Sequence, residues 1–80
     1  MTETIKIDQK LDCSGLVCPL PIIRTKQAMD KLSVGQVLEM TATDPGSVAD
    51  MEAWSKRTRQ VLLSHRPEDG KFIFLVRKDH

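Results

Sequence analysis

The sequence is poor in aromatic residues: only Trp54, Phe72 and Phe74, with no tyrosine. It has only two cysteines, Cys13 and Cys18, five positions apart. A disulfide between them would close a very short loop and stabilise little, so a disulfide-stapled secreted scaffold is excluded. No run approaches the roughly 20 apolar residues of a membrane span. The first residues alternate polar and apolar instead of forming an apolar stretch, so they do not read as a signal peptide. Neither G-x-G-x-x-G nor G-x4-G-K-[ST] occurs, so no phosphate-cradling loop is expected. Excess charge is missing too: 12 basic against 11 acidic residues leave a net charge of +1. Direct binding to duplex nucleic acid is therefore not expected, because it draws on many unopposed Lys and Arg side chains. The default compartment is the cytoplasm, with both cysteines as thiols.

What is present fits one small domain spanning residues 1–80, 40% apolar and 29% charged. Residues 5 to 12 alternate, with Ile5, Ile7 and Leu11 on one side and Lys6, Asp8, Lys10 and Asp12 on the other. This period of two predicts a half-buried strand, and Ser14-Gly15 a turn after it. Pro19 and Pro21 suit the first turn of a helix, where a missing N–H does no harm. Ile22, Thr25, Ala28, Met29 and Leu32 then form one helical face, up to a stop near Ser33-Val34-Gly35. Gln36 to Thr43 alternates again and predicts a second strand. A second helix is opened either by Asp44 as cap with Pro45 in first position or by a Ser47…Asp50 capping box, and it runs to about Thr58. Val61–His65 and Phe72–Val76, joined by Arg66–Lys71, predict an antiparallel hairpin.

The order β-α-β-α-β-β predicts an α+β two-layer sandwich, with both helices on one face of a four-stranded mixed sheet. A right-handed crossover makes the first two strands parallel, so Cys18 and Asp44-Pro45-Gly46 become neighbours at one sheet edge. Phe72–Val76 is apolar on both faces, which suggests that the uncovered sheet face serves weak homo-oligomerisation.

Cys18 directly precedes a helix, where unsatisfied N–H groups and the positive end of the dipole favour thiolate. Read from position alone, it is either a reactive thiol or a small buried apolar residue. Cys13 shares the parity of Ile5, Ile7 and Leu11 and is expected in the core, or else acts as a resolving thiol for Cys18. A zinc site from the two cysteines with His65 and His80 matches no common spacing. No metal and no cofactor are expected.

The run Gly15-Leu16-Val17-Cys18-Pro19-Leu20-Pro21, then Lys26, Gly35, Thr43-Asp44-Pro45-Gly46-Ser47, Asp50, Trp54 and a closing Phe72…Val76-Arg77-Lys78 resembles the TusA/SirA-like sulfur-carrier family. The resemblance covers about Leu11 to Lys78 and implies the same fold. It also implies that Cys18 is a sulfur-bearing nucleophile which takes sulfane sulfur as a persulfide, or carries it as a thiosulfonate. The donor so implied is a cysteine desulfurase or rhodanese. The acceptor is a further protein, in tRNA thiolation or sulfur oxidation. Pro19, Pro21 and Gly15 would shape the motif, and Lys26 with Asp44 match positions linked to partner docking in relatives. Cys13 departs from many relatives. Two other classes stay open on residues alone: a non-catalytic regulatory or protein-binding domain, and a Cys13/Cys18 redox switch.

Overall fold

The computed structural model describes residues 6–80. The elements are β1 (Gln9–Cys13), α1 (Leu20–Asp30), β2 (Val37–Ala42), α2 (Ser47–Thr58), β3 (Val61–Glu68) and β4 (Lys71–Arg77). They form a four-stranded mixed sheet of order β1-β2-β4-β3. β1 and β2 are parallel, pairing Leu11 with Met40 and Cys13 with Ala42, and both other pairings are antiparallel. The expected element order and sandwich are thus observed.

The strand expected over 5 to 12 is shorter at its start and one residue longer at its end, and Ile5 lies outside the described residues. Its alternation persists, with Cys13 buried, Leu11 half-buried and Lys10 and Asp12 exposed. The side chains of Leu38, Met40 and Ala42 from β2 and of Phe74 and Val76 from β4 join Cys13 in one core cluster. Ala28, Met29 and Leu32 from the α1 segment and Met51 and Trp54 from α2 complete it, so both helices cover the same sheet face. Burying an apolar side chain of this size stabilises by about 1.5–3 kcal/mol, which is why the helical periodicity survives into the fold.

Three expectations are corrected. The hairpin turn is the pair Asp69-Gly70 at φ 50° and 77°, so β3 runs on through Pro67 to Glu68. Two residues at positive φ match the twist of a two-residue hairpin, and Pro67 is tolerated because β3 is an edge strand. Neither proposed start of α2 is used: Gly46 occupies the cap position with no side-chain cap. The sheet face away from the helices is also no open apolar patch, since Ile73 and Leu75 there are only 8% and 9% exposed. The association surface read from Phe72–Val76 is therefore not presented by those side chains.

The far end of α1 is closed from a distance. Lys78 Nζ donates to the carbonyls of Met29 and Leu32 at 2.9 and 2.7 Å, satisfying acceptors that a helix end leaves free. No helix among the described residues is long and apolar enough to cross a membrane.

Candidate functional site

The parallel pairing of β1 and β2 brings the loops that follow them to one rim, and hydrogen bonds join the two loops there. Gly15 N–H donates to Thr43 Oγ1 at 2.9 Å, and Cys18 N–H donates to Asp44 Oδ2 at 2.8 Å. The second Asp44 oxygen accepts from Gly46 N–H at 3.1 Å, a local side-chain turn typical of aspartate. Accepting from Gly46 and Cys18 holds the Asp44 carboxyl below its usual range. The Asp44 oxygens are thus engaged within the chain, clamping the cysteine loop.

Gly15 sits at φ 81°, a left-handed conformation that a β-carbon disfavours. It lets the chain turn from β1 towards Cys18. Pro19 caps α1 and Pro21 is buried in its first turn. The Cys18–Pro19 peptide bond is cis.

Cys18 is exposed and free, whereas Cys13 is free but fully buried. The two therefore differ in access despite their closeness in sequence. To act as a resolving thiol, Cys13 would have to leave the core. Burial also pushes its thiol upward from the ordinary value, with the Asp12 charge adding to this.

The activation expected of Cys18 is reversed. Its thiol is raised, first by hydrogen bonding to Asp50, then by desolvation and by the charges of Asp50 and Asp44. The helix start offers the sulfur little in return. Pro19 and Pro21 have no N–H, the Leu20 N–H donates to the Val17 carbonyl, and Cys18's own N–H goes to Asp44. Asp50 and Asp44 thus bias Cys18 towards its protonated form.

Cys18 opens onto a cleft of about 210 Å³ lined by Pro19 and Ile22 on one side and by Asp50, Ala53, Trp54 and Arg57 on the other. Asp50, Trp54 and Arg57 were not expected as site residues, although their spacing of four and three along α2 marks a single helical face. Large exposed apolar side chains flank the sulfur: Val17 is 65% exposed, Leu20 41% and Ile23 45%. Lys26, by contrast, forms an exposed ion pair with Asp30 at 3.2 Å along α1, and no hydrogen bond or ion pair joins it to Asp44 among the described residues. His65 lies 3.8 Å from Glu52 and His80 3.8 Å from Asp79. No group of three metal-ligating side chains occurs among the described residues.

The model of the family described as sulfurtransferase TusA matches residues 9–78. The chain belongs to the TusA family. It is 54% identical over 71 residues to the sulfur carrier protein TusA of Allochromatium vinosum, covering 89% of this chain and 93% of that one. It is also 46% identical over 74 residues to the putative sulfur carrier protein YrkI of Bacillus subtilis, covering 92% of this chain and 99% of that one. The fold matches the crystal structure of a SirA-like protein from Desulfitobacterium hafniense at a TM-score of 0.79 and 22% identity, covering 90% of this chain and 99% of that chain. The TusA/SirA-like resemblance read from the cysteine motif is borne out at the level of family and fold.

Proposed function

We propose that this TusA-family protein is a covalent sulfur carrier in which Cys18 bears the sulfur. The observation that carries the reading is the mounting of Cys18: an exposed thiol on a loop whose backbone is clamped by Asp44, at the mouth of a cleft and amid exposed apolar side chains. A carrier needs one accessible sulfur in a fixed place and a surface that two successive partners can use.

In the transfer, the Cys18 sulfur attacks the outer sulfur of a persulfide on the donor protein. The donor S–S bond breaks, the donor leaves with a thiol, and Cys18 becomes a persulfide. The proton lost from Cys18 goes to the departing donor sulfur, so no external oxidant is needed. The second step is the same exchange with the acceptor. Asp50 and Asp44 favour the protonated form of Cys18, so the thiolate that attacks is the minor form at neutral pH. A cysteine desulfurase or rhodanese is the donor class in this reading. The acceptor belongs to tRNA thiolation or sulfur oxidation, and the reducing cytoplasm keeps both thiols free. Gly15, Pro19 and Pro21 shape the loop, and Asp44 acts from within the protein. Lys26 remains an exposed side chain available to a partner.

Intact-mass spectrometry after incubation with a persulfide-loaded donor tests the proposal. The expected result is the mass of one added sulfur atom on the wild type and none on Cys18→Ser. Sulfur that stays on Cys18→Ser, or fails to load on the wild type, rules the reading out. A non-catalytic binding domain with packing cysteines predicts a Cys18 that resists alkylation, at odds with its exposure.

A further inference from the structure

The cleft beside Cys18 has a direction. Its α2 wall begins at Asp50, close enough to influence the Cys18 thiol, and ends at Arg57, with Ala53 and Trp54 between them. Seven helical residues at 1.5 Å each separate the two ends by about 10 Å. Arg57 is exposed and has no ion-pair partner among the described residues. The middle of the cleft is apolar, formed by Ile22, Ala53 and the nearly buried Trp54. One end therefore carries a nucleophilic sulfur and the other an unopposed cation.

An extended chain advances about 3.3–3.6 Å per residue, so three residues also span about 10 Å. We propose that the cleft seats an extended segment of the partner protein's cysteine-bearing loop, with a carboxylate three residues from that cysteine paired to Arg57. The partner's cysteine meets Cys18, the two residues between pack over Ala53 and Trp54, and the acidic side chain reaches the guanidinium. This rests on the reading that Cys18 is the exchanging sulfur.

The apolar surface extends beyond the cleft, which favours a protein over a small thiol. The Leu20 N–H donates to the Val17 carbonyl, and Leu20 and Ile23 are three apart on the first turns of α1. The exposed side chains of Val17, Leu20 and Ile23 thus offer an apolar rim within five residues of Cys18. A small thiol would fill the cleft and leave this rim in water, while a loop standing on a protein surface covers both. Arg57 gives the segment its polarity, because an acidic residue is attracted there and a basic one repelled.

Peptide exchange tests the proposal. Acetylated, amidated peptides Cys-Ala-Leu-Glu and Glu-Leu-Ala-Cys, and their lysine counterparts, are activated as 2-thiopyridyl disulfides. Attack by Cys18 on the peptide sulfur releases thiopyridone, which is followed by absorbance at low salt, and leaves a mixed disulfide visible by mass. In at least one chain direction the Glu peptide is expected to react about two- to fivefold faster than its Lys counterpart, the range of an exposed ion pair. Arg57→Gln should abolish the preference, Arg57→Lys restore part of it and Arg57→Glu reverse it. Equal rates in both directions, or a preference that survives Arg57→Glu, overturns the proposal. So does activated glutathione disulfide that matches the better peptide with the same Arg57 dependence, because the occupant is then a small thiol. If no peptide forms a mixed disulfide at Cys18, the carrier reading fails, and this inference with it. A mixed disulfide without charge preference removes only the cleft assignment.

Discussion

The backbone N–H of Cys18 donates to Oδ2 of Asp44 at 2.8 Å, across 26 residues of sequence. The cysteine backbone is thereby held by the loop after the neighbouring parallel strand, not by its own helix. Asp44→Ala removes the acceptor for both Cys18 and Gly46 and frees the cysteine loop. Loss of positioning of a reacting atom slows a transfer step by roughly ten- to a hundredfold, and sulfur loading followed by mass should show it. The pH dependence has a definite sign. Asp44 is held below its ordinary value by the two N–H donors, so its contribution to stability is present above the unfolded aspartate value near pH 4. It is lost as pH falls through the lower folded value. The stability advantage of the wild type over Asp44→Ala should therefore be complete near pH 7 and shrink as pH falls below about 4; a difference that stays constant through acid unfolding removes the Asp44 clamp from the account.

Asp50 acts on the sulfur itself. Its hydrogen bond and charge favour the thiol, and both raise Cys18 above the ordinary thiol value. Asp50→Asn removes the charge and should move the pH profile of Cys18 alkylation to lower pH, with faster labelling at pH 7. Asp44→Asn should produce a smaller shift in the same direction, because its charge is the last of the four influences. Rates with iodoacetamide between about pH 6 and 10 span the thiol range and measure this. An unchanged profile in Asp50→Asn removes Asp50 from the account.

The fold was legible because short-range patterns and burial agree. The alternation of Leu38, Met40 and Ala42 and the helical spacing of Thr25, Ala28 and Met29 both point at one core. The rim position of Cys18 and Asp44 followed from the β-α-β order, which makes β1 and β2 parallel and brings the loops after them to one edge. What sequence spacing does not carry is how donors are shared in a loop. Pro19 next to Cys18 reads as a helix start that activates a thiol, yet the N–H groups nearby are missing or already used. Asp50 reads as a helix-capping residue until the packing of α2 against α1 turns it towards the sulfur. The apolar β4 run reads as a sticky face, whereas Ile73 and Leu75 are covered; among the described residues the large exposed apolar side chains are Val17, Leu20 and Ile23 near the cysteine and Val34 beyond the far end of α1.

Gly15 carries a conformational requirement that is separable from packing. Its φ of 81° is left-handed, and a β-carbon built there meets no atom within 4 Å. Gly15→Ala should thus destabilise by about 1–2 kcal/mol through the backbone alone. Gly15→Asn should lose less, because asparagine visits this region more readily. Urea midpoints of the three proteins check the order, and an alanine variant as stable as wild type contradicts it.

Cys13 should behave as a core residue and nothing more. It is fully buried in the main cluster and raised as a thiol mainly by burial. Native protein should therefore be alkylated quickly at one cysteine, and at two only when unfolded. Cys13→Ser places a hydroxyl among apolar neighbours and should destabilise by about 1–3 kcal/mol, while Cys13→Ala should lose less than that. Both should still load sulfur at Cys18. The raised folded value also sets a pH window. Stability from the buried thiol is complete below the unfolded cysteine value and declines as pH rises above about 8.5, a decline that Cys13→Ala should lack. Rapid native labelling of both cysteines, or loading that disappears in Cys13→Ala, would instead make Cys13 a working partner of Cys18.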